Sequence, residues 1–144
     1  MPKVFIDYPE GTFSAHALDA LAEEITTIGL ECEKLPDTPY VRSNIWIYAR
    51  EYAVDKVYHG GKPRGTKVIS LEVNAVEGAL GAHLRKELIA RLTKVVGKHA
   101  GIPPQERTPV YIVIRDVPPQ SWGMFGEPIT LESLHNPPVD AKPV

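Results

Sequence analysis

Pro2 is the residue of this sequence best suited to unusual chemistry. It follows Met1 directly and opens a strand-like run, Lys3-Val4-Phe5-Ile6-Asp7-Tyr8. Removal of Met1 is expected when a small residue follows it, and Pro2 would then carry a free secondary amine held by the strand. An α-amino group titrates near pH ~8 in the reference state. Burial and nearby cations both lower that value, leaving an uncharged base at neutral pH. With Met1 retained, the Pro2 nitrogen is an amide and no base. Cations able to hold a carboxylate stand at Arg50 and Arg115, whose guanidinium forks match it bidentately. Pairing with a neighbouring Asp or Glu is their competing use. Lys34 and Arg42, before the second strand, are further cationic candidates, with a solvated surface role as the alternative. His16 and His83 have no metal-ligand spacing, and no metal or cofactor is expected. Gly60-Gly61 and Gly123-x-x-Gly126 fall in turns and not between a strand and a helix start, so they are not phosphate loops.

The elements that must position these residues follow from periodicity. Val4, Ile6 and Tyr8 alternate with Phe5 and Asp7, as in a partly buried strand. Ser14 can cap a helix in which Leu18, Leu21, Ile25, Ile28, Cys32 and Leu35 form one apolar stripe. Pro36 and Pro39 end it. Ile45-Trp46-Ile47-Tyr48-Ala49 is rich in β-branched and aromatic residues and reads as a second strand. A tight turn at Tyr58-His59-Gly60-Gly61 follows.

From Lys67 the order of elements starts again. Glu10-Gly11-Thr12-Phe13-Ser14-Ala15-His16 is echoed by Glu77-Gly78-Ala79-Leu80-Gly81-Ala82-His83, a shift of 67 residues from His16 to His83. The same shift carries Leu21 onto Leu88 and Ile25 onto Leu92. A second register, two residues shorter, carries Arg50-Glu51 onto Arg115-Asp116. A difference of two preserves strand faces, so both registers agree on what points where.

The chain therefore reads as one domain over residues 1–144. Its units are strand–helix–strand repeats over about 2–61 and 67–127, with an extended carboxy-terminal arm over 128–144. The expected fold is α/β: two β-α-β units with parallel strands forming a four-stranded mixed sheet, both helices on one face. The other face is not polar, because Trp46, Tyr48, Tyr111 and Val113 are predicted there, and self-association is expected to cover it.

Composition narrows the function classes. A net charge of −2 and an isoelectric point near 6.2 give no bulk reason for nucleic-acid or membrane-surface binding. No apolar run approaches the ~20 residues of a membrane span. The single cysteine, Cys32, leaves no internal disulfide or cysteine cluster, and its place on the apolar stripe suggests packing. The expectation is a soluble, cytoplasmic protein.

Taken together, these residues resemble the tautomerase superfamily, whose members pair β-α-β units and use an amino-terminal proline. The second half is similar to a 4-oxalocrotonate tautomerase subunit in Glu77-Gly78, the helix to His99, Gly101-Ile102-Pro103 and the strand Val110 to Val117. The loop from Pro118 to Glu127 is similar to that family's hairpin segment. The two-unit length also resembles macrophage migration inhibitory factor and the cis-3-chloroacrylic acid dehalogenase and malonate semialdehyde decarboxylase groups.

The resemblance implies Pro2 as general base, Trp122 at an active-site phenylalanine position and Tyr111 at an active-site tyrosine position. Tyr111 would then donate a hydrogen bond to a developing enolate, with an interface role as the alternative. Trp122 would wall a pocket or fill a subunit seam. Arg115, Arg50 and Lys34 are the candidates for the substrate carboxylate. The arginine that follows the Glu-Gly turn in 4-oxalocrotonate tautomerase is Thr12 in one unit and Ala79 in the other. The paired arginines of the dehalogenase and decarboxylase groups are missing from Leu71 to Ala79, which argues against those reactions. What the resemblance implies is a homotrimeric isomerase interconverting enol and keto forms of a small 2-oxo acid, without a cofactor. Hydration or dehalogenation of 3-substituted acrylates, and a non-catalytic binding protein of this fold, are the alternatives.

Overall fold

The computed structural model describes residues 3–64 and 67–144. Pro2 and Met1 lie outside the described residues. Strand β1 (Lys3–Pro9), helices α1 (Ala15–Glu33) and α2 (Pro39–Ser43), and strand β2 (Trp46–Tyr52) come first. A small hairpin follows, β3 (Tyr58–His59) with β4 (Lys62–Pro63). The second unit is β5 (Ile69–Val76), α3 (Ala82–His99), β6 (Val110–Val117) and a hairpin of β7 (Gly123–Met124) with β8 (Glu127–Pro128). Helix α4 (Leu131–His135) ends the regular structure.

The sheet order is β2-β1-β5-β6. Each β-α-β unit pairs its own strands in parallel, and the units meet through antiparallel β1 and β5. Val4, Ile6 and Tyr8 face the helices with Leu71, Val73 and Ala75, all buried with Leu21, Ile25, Leu88 and Leu92. Cys32 belongs to this core at 1% exposure, and burial pushes its thiol up. Removing these apolar chains from water supplies most of the drive for the fold. Alternation then sends Lys3, Phe5 and Asp7 to the opposite face.

Local chemistry sets the helix ends. The Ser14 hydroxyl accepts from the Ala17 N–H at 3.1 Å, capping α1. Lys34, at φ 54°, turns left-handed, and the Leu35 N–H returns to the Leu30 carbonyl at 2.9 Å. The prolines expected only to break α1 also start α2, with Pro39 in its first turn and the Val41 N–H donating to Thr38 Oγ1 at 3.2 Å.

Both units repeat the bond that closes the strand end: Glu10 N–H to the Tyr52 carbonyl at 2.7 Å, and Glu77 N–H to the Val117 carbonyl at 2.9 Å. The segment 128–144, expected as an extended arm, instead carries α4 folded back on its own chain. Ile129 and Leu134 bury against Leu30, Leu35 and Val41. The Val144 N–H donates to Ser43 Oγ at 3.0 Å. Among the described residues no helix is long and apolar enough to cross a membrane.

Candidate active site

Parallel pairing brings the starts of β1 and β2 to one end of the sheet, and the antiparallel centre brings the ends of β5 and β6 there too. The row at this end reads Trp46, Lys3, Asn74, Arg115 across the four strands. A cavity of about 110 Å³ opens there, lined by Lys3, Asn44, Trp46, Trp122, Met124, Ile129 and Leu134. Lys3 is bonded to Pro2, so the chain enters the fold at the cavity wall. Lys34 lies on the return from α1 toward the start of β2.

The walls are held by the backbone. The Trp46 indole N–H donates to the Ser43 carbonyl at 3.1 Å. Trp122 donates its N–H to the Pro119 carbonyl at 3.1 Å and accepts the Ile129 N–H at 2.8 Å. Asn44 is 9% exposed, and its Oδ1 is buried with no hydrogen-bond partner among the described residues. A buried polar atom in that state costs stability unless a group in the cavity satisfies it. At the end of α1, burial pushes the Glu33 carboxyl up, and its carbonyl lies 3.2 Å from His135 Nε2.

The open face of the sheet carries the rest. Lys3 Nζ sits 5.3 Å from the centroids of both Phe5 and Tyr48, and those rings stack at 5.5 Å. Glu72 accepts from Asn74 Nδ2 at 3.2 Å and pairs with Arg115 at 3.1 Å. Arg50 pairs with Asp7 at 2.9 Å, lies over the Phe5 ring, and shares Asp7 with the Tyr52 hydroxyl at 3.1 Å. Both arginines thus make the ion pairs that compete with substrate binding. Arg115 remains 61% exposed beyond its pair.

Of the site residues expected from sequence, Trp122 lines the cavity and Arg115 lies in the strand row of Lys3, while Lys34, the cap of α1, is outside the lining. Arg50 and Tyr111 lie elsewhere. They share the row Arg50, Asp7, Ser70, Tyr111, four residues along the strands from Lys3, or about 13 Å. Tyr111 is 83% exposed there, turned outward. Thr12, at the missing arginine position, is buried and donates to the Pro9 carbonyl at 2.6 Å. His16 and His83 are exposed on the first turns of their helices.

Sequence reasoning missed Lys3, Asn44 and Met124. Adjacency to Pro2 was a usable signal for Lys3. Asn44 gave none, because its role depends on α2 delivering it under Trp46.

Residues 71–132 match the sequence profile of a family described as tautomerase enzyme. No curated protein matches the chain in sequence. Solved structures are similar over nearly the whole chain. Pt0534 inactivated by 2-oxo-3-pentynoate superposes with a TM-score of 0.73 at 24% identity, covering 93% of this chain and 99% of that one. A fused 4-OT in a symmetric trimer gives 0.73 at 20% identity, covering 87% and 94%. A member of the cis-3-chloroacrylic acid dehalogenase family gives 0.74 at 13% identity, covering 89% and 83%. The two-unit fold is common to all of them.

Proposed function

We propose that this chain, of the tautomerase superfamily by its fold and by the sequence of its second unit, interconverts enol and keto forms of a small 2-oxo acid. The observation that carries this reading is the cavity against Lys3, the residue bonded to Pro2, walled by Trp46 and Trp122. Loss of Met1 would free the nitrogen of Pro2, the residue that precedes Lys3 in the chain. The amine takes the proton from the enol oxygen, the carbon–oxygen bond becomes a carbonyl, and the resulting ammonium returns the proton to carbon. The low polarity of the two indoles and the positive charges of Lys3 and Lys34 both favour an uncharged amine at neutral pH. Lys3, Lys34 or the exposed fork of Arg115 would hold the substrate carboxylate. The Asn44 side chain, unsatisfied on its oxygen, would accept a hydrogen bond from the substrate hydroxyl.

Tyr111 can serve this reaction only from a second copy, since within one protomer it stands at the far end of the sheet. Its exposure, with that of Trp46, Tyr48 and Val113, supports a homotrimer in which one protomer's open face completes its neighbour's site. A trimer is also the assembly of the fused 4-OT of similar fold. The site residues proposed are therefore Pro2 as base, Tyr111 of a neighbouring copy as enolate donor, and Lys3, Lys34, Arg115 and Trp122 around the substrate.

A Met1-free preparation is assayed with phenylenolpyruvate and 2-hydroxymuconate. Ketonisation well above the buffer rate is expected for at least one. A preparation inert toward both but active on 3-haloacrylates would replace the reading with dehalogenation. Inertness toward all three classes would leave a binding protein of this fold.

A further inference from the structure

The two units end in the same hairpin. The 65-residue register carries β3 and β4 onto β7 and β8, and the pairing agrees residue for residue. Tyr58 faces Pro63 as Gly123 faces Pro128, and His59 faces Lys62 as Met124 faces Glu127. Two residues of positive φ close each turn: Gly60 and Gly61 at 60° and 76°, Phe125 and Gly126 at 54° and 86°. A two-residue hairpin turn of this kind favours Gly, Asn or Asp at both places, because any other side chain is crowded there. The first unit obeys. The second puts a phenylalanine where the turn wants glycine, and the ring stands 69% exposed. Among the described residues Phe125 belongs to neither apolar core and pairs with no other ring. Nothing inside the protomer rewards it.

What the ring can meet follows from where it stands. Trp122, Gly123 and Met124, which lead to it, line the cavity beside Lys3. In the assembly proposed above, Tyr111 of a neighbouring copy reaches that same end. The start of the neighbour's β5 and β6 comes with it, carrying a cavity of about 630 Å³. Tyr52, Tyr58 and Tyr111 give that cavity aromatic walls, and Val57, Val68 and Pro109 add apolar surface. A ring entering it leaves water and meets other rings, both favourable.

We propose that Phe125 is an anchor supplied to a second copy of this chain: its ring enters the neighbour's cavity at the start of β5 and β6, beside the Tyr111 that serves the proline site. This rests on the trimer reading above and adds a second contact to it. Burial of the ring offsets the left-handed backbone that the turn imposes on it. Gly60-Gly61 has no ring to return, so the contact runs one way, from the second hairpin of one copy to the first unit's hairpin of the next. A ring of three closes through such head-to-tail contacts.

Sedimentation velocity over a dilution series reads the concentration at which the trimer dissociates. Phe125→Gly recreates the turn of Gly60-Gly61, so the variant should fold normally by circular dichroism. Its dissociation midpoint should nevertheless rise at least about ten-fold, the scale of one buried aromatic anchor. Phe125→Asn, which also tolerates the left-handed region, should behave alike should glycine loosen the hairpin. Tyr58→Ser, in the receiving cavity, should raise the midpoint too, and the double variant should exceed either single change only slightly, since one contact is broken. A folded, trimeric Phe125→Gly with the wild-type midpoint would overturn the anchor and leave the trimer standing. Full additivity of Phe125→Gly and Tyr58→Ser would also overturn it, by showing that the two residues do not meet. A wild-type chain monomeric at every concentration would remove the anchor and the trimer together.

Discussion

Proline chemistry needs three things at one point: a free nitrogen, a desolvated surrounding and a cation to hold the acid. The end of the sheet where β1 begins has the indoles of Trp46 and Trp122 for the second and Lys3 and Arg115 for the third. Two substitutions separate the arginines. Arg115→Gln should raise KM for a 2-oxo acid about ten-fold, the weight of a carboxylate contact. Arg50→Gln, paired to Asp7 at the opposite end, should leave KM within about two-fold, since a rim ion pair contributes little. Equal effects in steady-state kinetics would show that the row containing Lys3 does not bind the acid. Cys32 gives a simpler test. Burial raises its thiol, so at pH 8 it stays protonated and should react with a thiol reagent only on unfolding.

At this scale the sequence was legible in part. The strand face of Arg115 was legible from alternation, whereas Trp122 was singled out only through the family resemblance, and Pro2 lies outside the described residues. The competing ion pairs of the arginines, and the separation of Arg50 from Lys3, depend on the parallel register inside each unit, which sets Asp7 beside Arg50 and Glu72 one step from Arg115.

The elements carry their own tests. Gly97 lies in α3 where an added Cβ would come within 2.4 Å of Thr108 Oγ1. Alanine is otherwise the better helix former by roughly 1 kcal/mol. Gly97→Ala should nevertheless destabilise by about 1–3 kcal/mol in urea unfolding, the scale of local overpacking. Adding Thr108→Ala should recover most of that loss; no recovery would mean the clash is not the cause. Between α1 and α3, Glu24 accepts from Lys98 at 2.6 Å and lies 2.9 Å from His99, and these contacts hold its carboxyl below the usual range. A lowered carboxyl contributes stability above its unfolded value, lost as pH falls through the folded one. Glu24→Gln should therefore lower the thermal midpoint at pH 7, with the difference shrinking as acid protonates Glu24 below the ordinary carboxyl range. A constant gap across that range would contradict the ion-pair account.

The two helices and four long strands were legible because each has a clean period and marked ends. Helix α2 and helix α4 were not. Pro39 reads as a breaker unless Thr38 is recognised as the cap that lets a helix start on it. Thr130 and Ser133 form a reciprocal cap for α4, but the prolines around it suggest an extended arm, and only burial of Ile129 and Leu134 fixes it.

For the whole molecule, the open face decides. Trp46, Tyr48, Tyr111 and Val113 are each more than 40% exposed on one side of the sheet, a patch that calls for a partner. Sedimentation equilibrium should give a mass near three chains of 15.9 kDa. Tyr48→Lys, placing a second charge beside Lys3, should shift the population toward monomer and lower kcat with it. A monomer with full activity would exclude any role for Tyr111 across an interface.

The base itself is tested most directly by the rate of enol ketonisation in a chain carrying one extra residue before Pro2. That addition turns the amine into an amide and leaves every side chain in place. With the native end, activity should rise with pH through a transition below the ~8 of an ordinary α-amine. The extended chain, of unchanged mass by sedimentation, should lose that activity at every pH. Full activity in the extended chain would show that Pro2 is not the base.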